Sequence, residues 1–344
     1  MKKFLAIILA LVMVLSLVAC GQEAAPAEEG GEEEVTVTKI GMVTDVGGIN
    51  DQSFNQGAWE GLQALAAADP SFAVNYLESK TDADYQANIN TFLDEGTDLI
   101  ICVGYMLAEA TRDAALANPD QKFAIVDDAT NADLDNVACL TFAQEQGSYL
   151  VGLVAGYMTE SKTVGYVQGM VSDTMNLFGI GYIEGVLAAC PDATVLQYNA
   201  NNFGDVAGGS AAAKEMITKG ADVIYHAAGG TGMGVISACD EEGIWAIGVD
   251  SDQSYLAPDH VITSEMKRVD NACAAISKDV QSGNFVGGVH TYDLSNGGID
   301  IAPTTTHIPA DVLEKVEAAK ADILAGKIVV STSADKCPTF TLDD

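Results

Sequence analysis

The chain has 344 residues, 48% of them apolar and 34 of them glycine, and its formal charge is −33 at neutral pH. Its length exceeds one small core and points to two domains of ordinary α/β composition. The charge repels phosphate backbones and anionic membrane surfaces, so nucleic acid is excluded as a partner and a nucleotide is disfavoured unless a local basic pocket offsets the field. Uncharged polar ligands and cations stay open.

In chain order, the first element is an export signal. MKK is a basic start, FLAIILALVMVLSL a short apolar core, and Leu17-Val18-Ala19-Cys20 a small-residue cleavage site resembling a bacterial lipobox. The expectation is a signal peptide over 1–19 and a lipid chain on Cys20, each buried methylene contributing about 0.8 kcal/mol to anchoring. Removing residues 1–19 takes away only Lys2 and Lys3, so the charge of the remainder becomes −35. Residues 20–35 read as a solvated acidic tether, since 21–34, GQEAAPAEEGGEEE, lack any large apolar side chain.

From there short apolar runs alternate with helical patterns. Strands are expected at 35–44, 72–78, 98–104, 122–127 and 136–142, then at 163–169, 194–199, 222–228, 244–250 and 260–266. Helices are expected between them, at 54–68, 83–94, 107–117, 144–159, 174–189, 206–219 and 232–242. Such alternation builds parallel sheets covered by helices on both faces. The pattern starts twice, at KIGMVTDVGG and at TVGYVQGMVSD, so two similar halves would bring the carboxyl ends of their strands to one cleft.

Every polar constellation lies at such an end. Asp45, Asp127 and Asp250 close three apolar runs, where carboxylates accept strong bonds from ligand hydroxyls or amines. Helix capping is the alternative for each one singly, and Asp128 is a weaker candidate. Phe54 stands in a polar loop, among Asn50, Asp51, Ser53, Asn55 and Gln56, that offers it no core. YHAAGGTGMG has glycines where a strand meets a helix, but no phosphate-loop motif; close backbone approach to an uncharged ligand fits it better. Lys267 is a rare cation at a strand end, set to donate to ligand hydroxyls or to neutralise Asp250. Six further cysteines are scattered without metal-ligand spacing, and the four histidines form no cluster. No catalytic set of nucleophile and base is present, which favours a binder over an enzyme, and no metal or cofactor is expected.

The ordered series GGINDQSFNQGAWEGL, FAIVDD, the stretch 169–186, AAGGTG, GVDSDQ and TSEMKR resembles the BMP family of lipoproteins, PnrA-like substrate-binding proteins of nucleoside ABC importers. The resemblance implies a type I periplasmic-binding fold of two Rossmann-like lobes joined by three crossovers. It divides the chain into 36–142 plus 263–285 and 143–262 plus 286–344. It implies a purine stacked between Phe54 and Phe178, with base and ribose contacts from Asp45, Asn55, Asp127, Gly230, Asp250 and Lys267. A core position on its own helix is the alternative for Phe178. It also implies an ABC permease as partner and a monomer lipid-anchored on the extracytoplasmic face. Alternatives are a riboflavin-like or sugar ligand on the same fold, or a nucleoside-processing enzyme.

Overall fold

The structure, a computed structural model, describes residues 37–342. The signal peptide, the proposed lipidation at Cys20 and the acidic tether lie outside the described residues. The first half runs β1 (Thr38–Thr44), α1 (Phe54–Ala68), β2 (Phe72–Leu77), α2 (Tyr85–Asp94), β3 (Leu99–Val103), α3 (Ala108–Ala117), β4 (Lys122–Val126) and β5 (Val137–Phe142). The second runs α4 (Gln144–Met158), β6 (Thr163–Gln168), α5 (Asp173–Ala189), β7 (Thr194–Asn199), α6 (Val206–Thr218), β8 (Val223–Ala227), α7 (Thr231–Glu242), β9 (Trp245–Asp250) and β10 (Val261–Lys267). Then come α8 (Val269–Gln281), β11 (Gly288–Tyr292), β12 (Ile299–Ile301) and α9 (Ala310–Leu324).

These elements form two six-stranded sheets, ordered β11-β5-β4-β3-β1-β2 and β12-β10-β9-β8-β6-β7. All their pairings are parallel except that of β12 with β10. The inner strands β3 and β8 are buried along their whole length, because helices cover both faces of a parallel sheet. Five of the six described cysteines are buried and Cys190 is half-buried, all with free thiols, which fits their apolar sequence contexts.

Strand pairing moves the crossover points expected from the resemblance. β10 pairs with β9 through Met266 in the second sheet, so the return to the first half follows Lys267 instead of falling near 263. β11 pairs with β5 through Tyr292, so the last crossing follows 292 instead of 286. The cause is long-range: β11 alternates half-buried and exposed positions and takes its place only by pairing with β5, 150 residues away in the Thr141–Thr291 pair. Two of the crossovers are clasped together. Phe142 and Tyr292 stack with centroids 5.1 Å apart, and the Ala143 amide donates to the Tyr292 carbonyl at 2.9 Å.

Candidate binding site

The carboxyl ends of the two sheets face each other across a narrow cavity. Both lobes contribute walls. Asp45, Phe54 and Asp127 come from the first, Phe178, Asp250 and Lys267 from the second.

Phe54 owes its place to Asp51. Phe54 opens α1, and the buried Asp51 carboxylate accepts the amides of Ser53, Asn55 and Gln56 at 3.0, 2.8 and 3.1 Å. A carboxylate over free N–H groups at a helix start is favoured by both hydrogen bonding and the helix dipole. Burial nevertheless raises the Asp51 pKa. The cap pins the first turn, and the Phe54 ring therefore faces the cavity.

Asp45 follows β1, and its Oδ1 accepts from the Gly47 amide and from Asn55 Nδ2, each at 2.8 Å. Burial raises its pKa to about 6 against the opposing pull of those two bonds. Asn55 does not line the cavity; its amide ties Asp45 to Asp51, 3.2 Å away on the other side. Gly230 also stands back from the cavity, at the start of α7, where an added Cβ would meet the Phe203 carbonyl at 3.2 Å. Its neighbour Gly229 lines the cavity, with φ at +52°.

Asp127 and Asp250 occupy matching places. Asp127 directly follows β4 and Asp250 ends β9, the third strand from the corresponding edge of each sheet, and both have left-handed backbone, with φ of +66° and +65°. Lys267 Nζ donates to Asp127 Oδ2 at 2.5 Å, and the lysine is 2% exposed. Three rings surround this ammonium: Phe54 at 5.0 Å, Phe142 at 5.1 Å and Phe178 at 5.2 Å to the centroid. Such faces attract a desolvated cation. Asp250 Oδ2 accepts from the Ser53 hydroxyl of the opposite lobe. Burial raises the Asp250 pKa to about 6, with Lys267 and the Ser53 bond opposing.

Two polar atoms at the cavity lack a hydrogen-bond partner among the described residues, Asp127 Oδ1 and the Tyr105 hydroxyl. Burial raises the Tyr105 pKa, and the Asp45 and Asp127 carboxylates add to the rise. Buried groups of this kind await a partner.

Sequence reasoning missed Asp51, Tyr105 and Phe203. Phe203 carries the same signal that exposed Phe54: an aromatic in a polar loop, NANNFGD, between a strand and a helix. It is half-buried and lines the cavity from the second lobe, whereas Phe178 is 2% exposed and belongs to the core as well as to the cavity wall. No cluster of His, Cys, Asp and Glu suited to a metal occurs among the described residues, and no described helix is long and apolar enough to cross a membrane.

Known proteins share this architecture. Residues 38–334 match the family model described as ABC transporter substrate-binding protein PnrA-like. A Listeria innocua protein named CD4+ T-cell-stimulating antigen is 37% identical over 96% of this chain and 98% of its own. The ABC transporter nucleoside-binding protein BmpA of Lactococcus lactis is 35% identical over 94% of this chain and 96% of its own. Among solved structures, an ABC transporter solute-binding protein of Aeropyrum pernix superposes with a TM-score of 0.80 at 28% identity, over 88% of this chain and 96% of that one. The fold is the type I periplasmic-binding fold, shared with a Bacillus halodurans ABC transporter solute-binding protein solved with bound myo-inositol (TM-score 0.59, 15% identity, over 83% of this chain and 99% of that one). With strand ends, cavity and family model in agreement, the chain belongs to the Bmp family of PnrA-like ABC transporter substrate-binding proteins, which bind a ligand and deliver it to a membrane permease.

Proposed function

We propose that this protein captures nucleosides, purine nucleosides foremost, outside the cell membrane and hands them to an ABC permease. The observation that carries the reading is the cavity itself: flat aromatic faces from both lobes combined with carboxylates and one enclosed ammonium. Phe54 supplies one stacking plate. Phe203 is the better-placed opposite plate, since it is half-buried in a loop, while Phe178 packs beneath the cavity and beside Lys267. Base–aromatic stacking contributes about 1–3 kcal/mol per contact and tolerates different bases. Asp250 and Lys267 form the ribose end, Asp250 accepting from sugar hydroxyls and Lys267 donating. Asp45 and the free Asp127 Oδ1 accept from donors on the base or sugar. Asn55 acts by holding Asp45, and Gly230 by letting the two lobes meet, so neither touches ligand.

With four aspartates and one lysine along its wall, the cavity disfavours the phosphates of a nucleotide. The body is tethered through lipidated Cys20 and works as a monomer, alternating between open and closed lobes. Ligand favours closure only through contacts made better in the closed form. The test is mass spectrometry of ligand released from purified protein, followed by calorimetric titration with inosine, guanosine, adenosine and cytidine. Nucleoside in the released fraction and heat on titration support the reading. Heat with ribose, galactose or riboflavin but with no nucleoside overturns it.

A further inference from the structure

The two lobes also grip each other directly, away from the cavity. Gln253 lies in a short 3-10 turn after β9, Gln253–Leu256, and is fully buried. Its Nε2 donates at 2.9 Å to the backbone carbonyl of Gln52 in the first lobe. Two residues on, the Tyr255 hydroxyl donates at 2.6 Å to Gln52 Oε1. Gln52 thus receives two bonds from one turn of the opposite lobe, and it holds a left-handed backbone, with φ at +55°, to present its carbonyl. None of Gln52, Gln253 and Tyr255 lines the cavity.

The second lobe is built to aim this turn. Gln253 Oε1 accepts the Val249 amide at 2.9 Å and faces His226 Nε2 at 3.1 Å, which fixes the amide so that its NH₂ points at the first lobe. Burial lowers the His226 pKa to about 4, so the ring is neutral and donates through Nε2. The Gln253 backbone N–H donates to Ser264 Oγ at 3.1 Å, which fixes the turn that carries the side chain. Two glycines make the room: a Cβ on Gly232 would lie 2.0 Å from His226 Nδ1, and one on Gly248 would lie 2.7 Å from Gln253 Oε1. A side chain anchored by two bonds within its own lobe and extended across a cleft does so at little further entropic cost.

We propose that Gln253 and Tyr255 form a latch on Gln52 that stabilises the closed lobes independently of ligand chemistry, and so sets affinity from outside the cavity. The proposal rests on the nucleoside reading for its binding test only. Because a closed-state contact weights every ligand equally, its loss lowers all affinities by one factor and acts through dissociation.

Tyr255 is 55% exposed, so Tyr255→Phe removes the hydroxyl without disturbing the core. One neutral hydrogen bond corresponds to about fivefold in affinity. The experiment measures inosine and guanosine binding to wild type, Tyr255→Phe, Gln52→Ala and the double variant, with small-angle X-ray scattering of each ligand-free protein. The expected result is about fivefold weaker binding of both nucleosides in each single variant, faster dissociation, and a double variant no worse than either single one. The ligand-free variants should show a larger radius of gyration than wild type. Unchanged affinities, a loss confined to one nucleoside, or additive losses would overturn the latch. If no nucleoside binds wild type, the nucleoside reading fails alone, and the scattering comparison decides the latch by itself.

Discussion

Asp127 and Asp250 sit at equivalent ends of their two sheets, share a left-handed backbone, and have different partners. Asp127 is paired with a lysine enclosed by three rings, whereas Asp250 takes a hydroxyl from across the cleft. A doubled architecture places the same residue type at the same topological point, and the partner then decides the job. Asp127 holds a buried charge in place, whereas Asp250 lines the cavity and is held by one hydroxyl from the opposite lobe.

The largest effect expected from this contrast is on stability. Asp127→Ala strands the Lys267 ammonium in a buried ring cage, and losing one member of a buried pair costs roughly 3–5 kcal/mol. Asp250→Ala strands nothing comparable. Thermal unfolding of both variants checks this, and equal losses would erase the distinction.

Second is binding. Asp250→Ala should weaken a nucleoside by roughly 1.5–3 kcal/mol, the value of a hydrogen bond to a charged group, and leave the free base nearly unaffected. Calorimetry with inosine and hypoxanthine measures the gap. Third, Phe203→Ala should cost roughly 1–3 kcal/mol of nucleoside affinity with little loss of stability. Phe178→Ala should instead lower stability by roughly 3–5 kcal/mol, as a core truncation does. If Phe178→Ala spared the fold and abolished binding, Phe178 would be the plate.

The smallest effects are those of pH. Asp45 and Asp250 have folded-state pKa values raised to about 6 by burial, so their contribution to stability is present below the unfolded value near 4 and is lost as pH rises through 6. The ligand-free protein should therefore gain melting temperature from these groups on going from pH 7 to 5. Ligand donors prefer the ionised carboxylates, so affinity should fall over the same interval. Glu265 offers an internal control. It is fully buried, both its oxygens lack partners among the described residues, and burial raises its pKa well above the ordinary value. Glu265→Gln should raise the melting temperature at pH 8, with the gain shrinking toward pH 4.5, and leave nucleoside affinity unchanged.

Much of this was legible in the chain because apolar runs stop abruptly. Asp45, Asp127 and Asp250 stand where such runs end, and strand ends in doubly wound sheets face ligands. Asp51 was not legible as a cap, since the helix start it serves is identified by three amide distances and by no motif. Asn55 and Gly230 border the cavity without lining it: the Asn55 amide turns to Asp45 and Asp51, and it is Gly229, one residue earlier, that reaches the wall, differences of one position that a sequence does not resolve. Phe203 could have been found by the criterion applied to Phe54. The crossovers after Lys267 and Tyr292 could not, because sheet membership there is settled by pairing with distant strands.

Lys267 is the last residue of β10 and stands directly before a crossover, while Phe142, beside its ammonium, ends β5 directly before another. A body that swings about its hinge moves least at the hinge. The Lys267 ammonium and the Phe142 ring therefore belong to the part of the molecule that any swing of the lobes displaces least.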